Sequence, residues 1–255
     1  MNIYLVSYST PNFRLSQMIL VISARIFGCN KVITKTRSDL IKSSFYKDNK
    51  EILDSKRGGG YWLWKYHFIK ELIDEVNEND IIVYADAGLF FRKSIKKLIN
   101  ILINKTNGVL LFHNAYANRE WTKRDCFVKL ECESEDYYSS PLIFGGLQIF
   151  QKKEFSIKFI DEVLYYSCLD EIITDSPNIL GKQNIDGFIE HRHDQSITSL
   201  VAHKNGIVLY PDPSQFKTKD VIYQFPNETV LKGVLYENII YVHRFAGPKI
   251  LSLFK

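Results

Sequence analysis

The sequence predicts an α/β fold in which a mostly parallel central sheet is flanked by helices. Three observations lead to this prediction. Short apolar runs alternate with segments whose apolar residues recur every three or four positions, as in βαβ units. The run at 81–85 is apolar throughout, which is typical of a strand buried on both faces. The length of 255 residues and the hydrophobic fraction of 45% are those of one globular domain.

The order of the elements follows from the spacing of the apolar residues. A strand at 3–6 precedes a helix whose apolar residues run from Leu15 to Ile26 and which ends at Gly28. The polar stretch 35–60 is expected to be loop with one helical turn, and 118–138 to be a charged insertion. The same patterns predict further helices at 62–76, 94–103, 155–168 and 197–206, and further strands or apolar runs at 31–34, 81–85, 109–112, 142–150, 207–210 and 239–242.

The composition argues against several classes of function. There are 33 Lys and Arg against 29 Asp and Glu, and the net charge of +4 is spread along the chain, so nucleic acid is not an expected partner. The spacing of Cys29, Cys126, Cys132 and Cys168 fits neither a disulfide framework nor structural zinc and predicts reduced thiols. Neither a signal-peptide pattern nor the roughly 20 apolar residues of a membrane helix is found, so we expect a cytoplasmic protein.

A carboxylate stands at the carboxyl end of the apolar strand. Asp86 follows that strand directly and is itself followed by Ala87 and Gly88. Ligands of open α/β sheets bind at this end of the strands. An acid there, with small residues beside it, suits a hard divalent cation such as Mg²⁺ or Mn²⁺ that also binds a diphosphate. A simple turn out of the strand explains the same residues.

Two blocks of sequence carry a family resemblance. The stretch from Arg57 to Gly88, which opens with Gly58-Gly59-Gly60, and the block His-Arg-His-Asp-Gln-Ser at 191–196 are similar to those of bacterial GT-A nucleotide-sugar glycosyltransferases of capsule and O-antigen clusters. The resemblance implies one GT-A, Rossmann-like domain over 1–255, with a donor-binding half at 1–112 and an acceptor-binding and catalytic half at 113–255.

The resemblance also implies an activity and its partners. The expected reaction transfers a sugar from a nucleotide-diphosphate donor, with a UDP-sugar favoured, to a saccharide or lipid-linked saccharide acceptor in surface polysaccharide or lipopolysaccharide biosynthesis. Because such acceptors are often attached to lipid, peripheral contact with the inner membrane is expected. The basic, aromatic tail 249–255 would assist that contact.

The metal site of this family departs from its usual pattern here. The strand-end motif is normally D-x-D, whereas Gly88 takes the place of the second acid. The resemblance assigns Asp86 to a divalent metal (Mn²⁺ or Mg²⁺) and the diphosphate, and His243 to the metal as a ligand near the C-terminus. The alternative is metal-independent binding in which Arg244 and Lys249 neutralise the phosphates.

The remaining donor contacts are expected around the glycine run. Three glycines allow a nucleotide or sugar to approach the backbone closely. The resemblance places Arg57, Tyr61 and Lys65 along the donor pocket, with Lys65 near phosphate or sugar. A loop followed by an amphipathic core helix is the structural alternative.

The block at 191–196 supplies the candidate catalytic groups. Asp194 and Gln195 are the first candidates to face the reacting sugar, and His193 is a second candidate, for an acceptor contact or for the base. A carboxylate here removes the acceptor proton in an inverting enzyme or stabilises an oxocarbenium-like centre in a retaining one. Asp194 also fits the N-cap of the following helix.

The acceptor side is predicted from aromatic and glycine residues. Trp121 offers a ring that can stack on a sugar face, and it can equally anchor a surface loop. Gly145 and Gly146 permit close approach of a ligand or of another strand.

Two other functions remain open at this point. In the first, His191, His193 and Asp194 belong to a metal-dependent hydrolase; however, Gln195 and Ser196 replace the last two residues of the H-x-H-x-D-H signature. In the second, the missing second acid marks a non-catalytic nucleotide- or sugar-binding module.

Overall fold

A five-stranded sheet lies at the centre of the computed structural model, which describes residues 1–216, 229–231 and 235–243. The strands are β1 Ile3–Ser9, β2 Lys31–Thr36, β3 Ile81–Ala85, β4 Leu89–Phe91, β5 Val109–Leu110, β6 His113–Ala117, β7 Pro141–Ile143, β8 Leu147–Gln151 and β9 Ile240–Val242.

Helices connect these strands, and a 3₁₀ turn at Pro11–Phe13 precedes the first. The longer helices are α1 Arg14–Phe27, α6 Trp64–Glu75, α7 Lys96–Lys105, α11 Glu154–Ser167 and α13 Asp194–Lys204. The short ones are α2 Arg37–Ile41, α3 Ser44–Asp48, α4 Lys50–Leu53, α5 Gly58–Tyr61, α8 Asn118–Trp121, α9 Arg124–Lys129, α10 Glu135–Tyr138 and α12 Asp170–Ile173.

The central sheet has the order β2-β1-β3-β8-β5. The pairs β1/β2 and β1/β3 are parallel, and β8 is antiparallel to both β3 and β5, so four of the five strands point the same way. The predicted mostly parallel sheet is confirmed, with β8 as the reversed strand. Two small antiparallel sheets, β4-β9 and β6-β7, flank it. Both predicted halves of the chain contribute strands to the central sheet.

The sheet separates two hydrophobic cores because successive side chains of a strand point to opposite faces. In β3, Ile82 and Tyr84 belong to the core packed by α6, α11 and α13. Ile81, Val83 and Ala85 belong to the core packed by α1 and α7. This two-sided burial explains the apolar run at 81–85, and it fixes the direction in which Asp86 leaves the sheet.

Several predicted boundaries were wrong. The helix predicted at 62–76 begins at Trp64, because every residue from Gly58 to Trp62 has a positive φ, from 52° to 105°. The predicted loop 35–60 holds three short helices and the left-handed turn labelled α5, and the insertion 118–138 holds three short helices. At 207–210, predicted as a strand, Leu209 and Tyr210 form only isolated bridges. Within the described part of the chain, no helix is long and apolar enough to cross a membrane.

Candidate active site

A cavity of about 800 Å³ opens at the carboxyl ends of β1 and β3 and the amino end of the reversed strand β8. Parallel α/β sheets bind ligands at this edge. Most of the residues singled out from the sequence line this cavity. They are Arg57, Lys65, Asp86, Gly88, Gly145, Gly146, His193, Asp194, Gln195 and His243.

A buried ion pair connects the two halves of the chain inside this cavity. Lys65 Nζ, on the first turn of α6, lies 2.6 Å from Asp194 Oδ2, on the first residue of α13. The two side chains are only 3% and 5% exposed. Lys65 also donates to the Gly145 carbonyl at 3.1 Å, and its ammonium lies 5.1 Å from the centre of the Tyr84 ring. The sequence singled out both charges but did not predict that they pair.

The pair is charged at neutral pH. Burial raises the pKa of Asp194 to about 6, and the Lys65 ammonium opposes that rise. Burial by itself would lower the pKa of Lys65, but the nearby carboxylates of Asp194 and Asp86 outweigh burial and raise it. The N-terminus of α13 also favours an anion at position 194. The cavity therefore holds a carboxylate whose ionisation changes close to physiological pH.

Asp86 is held in place by its neighbours on β3 and β8. The Tyr84 hydroxyl donates to Asp86 Oδ1, and the Asp86 amide donates to the Gly146 carbonyl at 2.9 Å. A Cβ on Gly146 would lie 2.8 Å from the Phe144 ring and 3.4 Å from Asp86 Oδ2. Gly146 thus leaves room for the Asp86 carboxylate.

Gly88 is explained by its contact with the C-terminal segment. The His243 amide donates to the Gly88 carbonyl at 2.7 Å, and a Cβ on Gly88 would lie 2.8 Å from the His243 carbonyl oxygen. A second acid of a D-x-D motif would not fit here without moving this backbone. The glycine brings Asp86 and His243 to the same wall of the cavity.

The wall that carries Asp86 and His243 offers few ligands for a divalent metal. Within the described ranges, no three His, Cys, Asp or Glu side chains form a group that could hold a metal ion. Asp86 and His243 offer one carboxylate and one imidazole on adjoining backbone. Mg²⁺ is commonly bound by one or two carboxylates together with substrate phosphates. The residues therefore fit a metal whose remaining ligands come from a diphosphate.

His193 is buried at the start of α13 and has an uncommon backbone conformation. Its φ and ψ are 53° and −122°, a region that non-glycine residues rarely occupy. Its Nδ1 lies 2.8 Å from the Ile173 carbonyl, and its Nε2 accepts from Arg57 Nε at 2.8 Å. Burial lowers the pKa of His193, and the Arg57 guanidinium adds to this effect. The ring is neutral and engaged at both nitrogens.

Hydrogen bonds at both ring nitrogens of His191, as at those of His193, weigh against the hydrolase alternative. His191 Nε2 lies 2.8 Å from the Ile172 carbonyl, and its Nδ1 faces the Lys123 amide at 3.3 Å. Burial holds the pKa of His191 well below its usual value. A metal could bind either imidazole only by displacing one of these protein groups.

A left-handed turn forms the wall beside Arg57. The residues from Gly58 to Trp62 all have positive φ. A Cβ on Gly60 would lie 2.7 Å from the Leu53 Cα, so close packing as well as backbone conformation requires glycine there. The Trp62 ring stacks on His193 at 5.6 Å between ring centres. Trp62, interpreted from the sequence as part of the helix stripe, therefore lines the cavity instead.

The other predicted site residues lie elsewhere. Tyr61 packs against the His193 ring, 4.9 Å between centres, outside the set that lines the cavity. Trp121 also lies outside that set and stacks under the Arg192 guanidinium at 4.4 Å. Arg244 and Lys249 fall outside the described residues.

Sequence reasoning missed a group of aromatic and polar residues in the cavity wall. No spacing signal marks them, because they come from six separate positions of the folded chain. They are Tyr8, Phe13, Trp64, Asn114, Tyr116 and Arg192. Tyr8 and Trp64 stack on each other, with ring centres 4.1 Å apart.

Comparisons with known proteins identify the fold. No protein-family model and no curated protein sequence matches the chain. Among solved structures, apo mouse xyloside xylosyltransferase 1 superposes with a TM-score of 0.52 at 10% identity, covering 96% of this chain and 98% of its own.

Two further glycosyltransferase structures are similar at lower scores. The galactosyltransferase LgtC, in complex with donor and acceptor sugar analogs, has a TM-score of 0.46 at 12% identity, covering 96% of this chain and 87% of its own. The apo bifunctional glycosyltransferase WbbM has a TM-score of 0.45 at 12% identity, covering 78% of this chain and 37% of its own. On the superposition with the xylosyltransferase, this chain has the α/β fold of the GT-A glycosyltransferases.

Proposed function

We propose that the protein is a glycosyltransferase that moves a sugar from a nucleotide-diphosphate donor to a saccharide acceptor. The observation that carries this proposal is the meeting of Asp86 and the Lys65–Asp194 pair in one cavity at the ligand-binding edge of the sheet. A volume of about 800 Å³ is within the usual range for small-molecule sites. The similarity of fold to a known xylosyltransferase supports the same class of reaction.

The donor is assigned to the wall that carries Asp86 and His243. A divalent metal held there would neutralise the diphosphate and stabilise it as a leaving group. The stacked rings of Tyr8 and Trp64 offer an apolar surface for the base, and the backbone of Gly59 lets the ribose or phosphates approach. We favour a UDP-sugar. Arg244 and Lys249 remain candidates for phosphate contacts.

The reacting sugar is assigned to Asp194 and Gln195. Gln195 Nε2 donates to the Ile143 carbonyl at 2.6 Å, which fixes its amide beside Gly145. Lys65 holds the Asp194 carboxylate in one orientation and keeps it ionised at neutral pH. An ionised carboxylate at this place can accept a proton from the acceptor or stabilise positive charge on the sugar. His193 then acts as a positioning residue, because its ring nitrogens are both engaged.

The acceptor is assigned to the part of the cavity lined by Asn114, Tyr116 and Arg192. Trp121 supports Arg192 from behind through its ring. Gly145 lies between the Lys65 ammonium and the Gln195 side chain, so acceptor and donor would meet near it.

The setting proposed for this reaction is bacterial surface polysaccharide or lipopolysaccharide assembly. All four cysteines are free thiols, as expected in a reducing compartment. We place the enzyme in the cytoplasm, with its acceptor attached to a lipid of the inner membrane.

Donor binding is tested by thermal shift. The protein is heated with UDP, GDP and their sugar conjugates, with and without Mn²⁺, as wild type and as Asp86→Asn. A ligand at 100 times its Kd adds about 2.7 kcal/mol to stability, so a clear rise in Tm is expected with one nucleotide class. That rise should be lost in Asp86→Asn and kept in Glu154→Gln, a matched change on the exposed face of α11.

Catalysis is tested separately from binding. The nucleotide-sugar that raises the Tm is incubated with the protein and candidate oligosaccharides, and release of nucleotide diphosphate is followed. Binding without release or transfer would favour the non-catalytic module. An unchanged Tm with every nucleotide would contradict the donor-site assignment.

A further inference from the structure

The outer face of α1 is apolar although it faces solvent. Met18, Ile22 and Ile26 follow each other at intervals of four residues and are 60%, 57% and 69% exposed. Leu15 and Ile19 are half-buried along the same side of the helix. Residues four apart on a helix lie one above the other, so these side chains form a continuous stripe. Contiguous exposed apolar surface of this kind usually marks a docking site.

The inner face of the same helix is partly polar. Gln17 Nε2 donates to the Ser7 carbonyl at 3.1 Å, and Gln17 Oε1 accepts from the Ser9 hydroxyl at 2.9 Å. Ser23 Oγ accepts from the Phe91 amide at 3.0 Å. Hydrogen bonds, together with Leu20 and Ala24, therefore attach α1 to the sheet. The apolar outer stripe is not needed to hold the helix in place.

Positive charge accompanies this stripe. Arg14 and Arg25 are exposed on α1, and the first acidic residue of the chain is Asp39. Residues 1–34 contain three Lys or Arg and no Asp or Glu, while the next two basic residues, Lys35 and Arg37, pair with Glu71 and Asp54. Exposed Arg92, Lys96 and Lys97 follow the strand whose Phe91 is bonded to α1.

The stripe begins at the cavity. Phe13, at the end of the 3₁₀ turn that leads into α1, lines the cavity together with Thr10. With a rise of about 1.5 Å per residue, the 14 residues of α1 extend roughly 21 Å away from it. A surface that covers the stripe would therefore end at the cavity wall.

We propose that this outer face of α1 binds an anionic phospholipid surface, with the helix lying in the plane of the interface. Apolar residues flanked by arginines are the pattern of interfacial helices, whose apolar side enters the boundary by about 5–10 Å while arginine side chains reach the headgroups. This site would deliver a lipid-linked acceptor to the cavity, a role that rests on the proposed function. Membrane binding itself does not depend on sugar transfer.

Charge favours lipid over a second copy of the chain as the occupant. A two-fold symmetric dimer brings the same patch of each copy together. Here that would place Arg14 and Arg25 against a partner helix that offers no acid in return. Like charges in contact oppose such a pairing, whereas each arginine near an anionic bilayer gains about 1 kcal/mol.

The test is co-sedimentation of the full chain with vesicles. Phosphatidylcholine vesicles with and without phosphatidylglycerol are mixed with wild type, with Ile22→Asp/Ile26→Asp and with Ile179→Asp. Ile179 is 70% exposed and lies away from α1, so it is the matched control. Wild type and control should bind anionic vesicles, and the double variant should bind at least about tenfold less. Arg25→Gln should weaken binding about fivefold on anionic vesicles.

The folding and the oligomeric state of wild type and the double variant are measured alongside vesicle binding. Thermal shift with nucleotide should be unchanged in the double variant, so a failure of the proposed function would appear there and not in vesicle binding. The inference is overturned if wild type ignores vesicles, or if the double variant binds like wild type, which would leave the tail 249–255 as the anchor. It is also overturned if analytical ultracentrifugation shows a wild-type dimer that the double variant dissociates without any vesicle binding.

Discussion

Two groups of charged residues meet the cavity in contrasting environments. One contains a buried ion pair and we call it the floor, and the other is a half-exposed cluster around Arg57, which we call the rim. The floor consists of Lys65, Asp86 and Asp194, where the Lys65–Asp194 pair is 3% and 5% exposed. At the rim, Arg57 lines the cavity and lies 3.2 Å from Asp175 and 3.4 Å from Glu190, which lie outside the cavity lining; all three side chains are about 40% exposed.

The difference separates the charged pair to which we assign a chemical role from the pairs to which we do not. Burying an ion pair costs solvation energy that its attraction does not always recover, so such pairs contribute little to stability by themselves. The floor pair therefore suggests a function for the carboxylate. Half-exposed pairs such as those on the rim contribute about 0–1 kcal/mol. The rim orients the His193 ring instead, through the bond from Arg57 Nε to Nε2.

The largest effect is expected from Asp194→Asn on the floor. The change leaves the Lys65 ammonium buried without its partner, and breaking such a pair costs about 3–5 kcal/mol of unfolding free energy. Urea denaturation measures this loss, and sugar transfer should fall at least about a hundredfold because the reacting carboxylate is gone.

A double variant separates the two effects. Lys65→Met with Asp194→Leu removes both charges, so we expect it to recover most of the stability and none of the activity. Recovery of activity in the double variant would contradict the catalytic assignment of Asp194.

The contact between Gly88 and His243 gives the next largest effect. Gly88→Ala forces a Cβ to within 2.8 Å of the His243 carbonyl, whereas a Cβ at Gly145 meets only Gln195 carbon atoms at ordinary distances of 3.5 Å or more. We expect Gly88→Ala to cost about 1–3 kcal/mol and Gly145→Ala much less, as measured by urea denaturation. Gly88→Asp, which restores the D-x-D pattern, should lower rather than raise Mn²⁺-dependent donor binding. Equal stability of the two alanine variants would show that the His243 backbone moves freely.

The pH dependence sharpens the comparison further. The pKa of Asp194 is raised from 3.8 to about 6, so activity should fall as the pH drops through about 6. Between pH 3.8 and about 6, the folded protein binds the proton of the Asp194 carboxyl more tightly than the unfolded chain does. The contribution of Asp194 to the free energy of unfolding therefore falls as the pH rises through that window.

In Lys65→Met the opposing ammonium is gone, and the acid limb of the kcat/KM profile should move to higher pH by about one unit or more. A shift to lower pH would mean that another group controls this limb.

The smallest effect is expected on the rim. Arg57→Gln should change the unfolding free energy by about 1 kcal/mol or less, because both acidic partners are half-exposed. Because Arg57 also lines the cavity, a few-fold rise in the KM for the donor is the expected result. A loss as large as that of Asp194→Asn would remove the distinction between floor and rim.

The sequence was sufficient for the features that depend on local pattern. The buried strand at 81–85 placed Asp86 at the ligand-binding edge. Asp194 was predicted as the N-cap of the following helix, but it is the first residue of α13 and His193 is the N-cap. Pairing of Lys65 with Asp194 was not predictable, because it depends on how α6 and α13 pack from opposite halves of the chain. In the sequence, Gly88 stands where the D-x-D motif has a second metal ligand. The structural reason for a glycine, the His243 backbone packed against it, appears only in the fold.

The other features that the sequence did not predict have different physical causes. A run of positive φ from Gly58 to Trp62 has no signature beyond the glycines themselves, so the apolar spacing extended the predicted helix too far. For His193, the sequence identified an ionisable side chain but could not show that Ile173 and Arg57 engage both of its nitrogens. Side-chain hydrogen bonds between distant segments are not encoded in periodicity.

The position of the reversed strand sets the order in which the protein can be completed during synthesis. β8 lies between β3 and β5, which both precede it in the chain. Until Leu147–Gln151 leaves the ribosome, β3 has an unpaired edge, and such edges promote aggregation. The bond from the Asp86 amide to Gly146 forms only once that edge is closed. A nascent chain therefore completes this wall of the cavity only after more than half of its residues have been made.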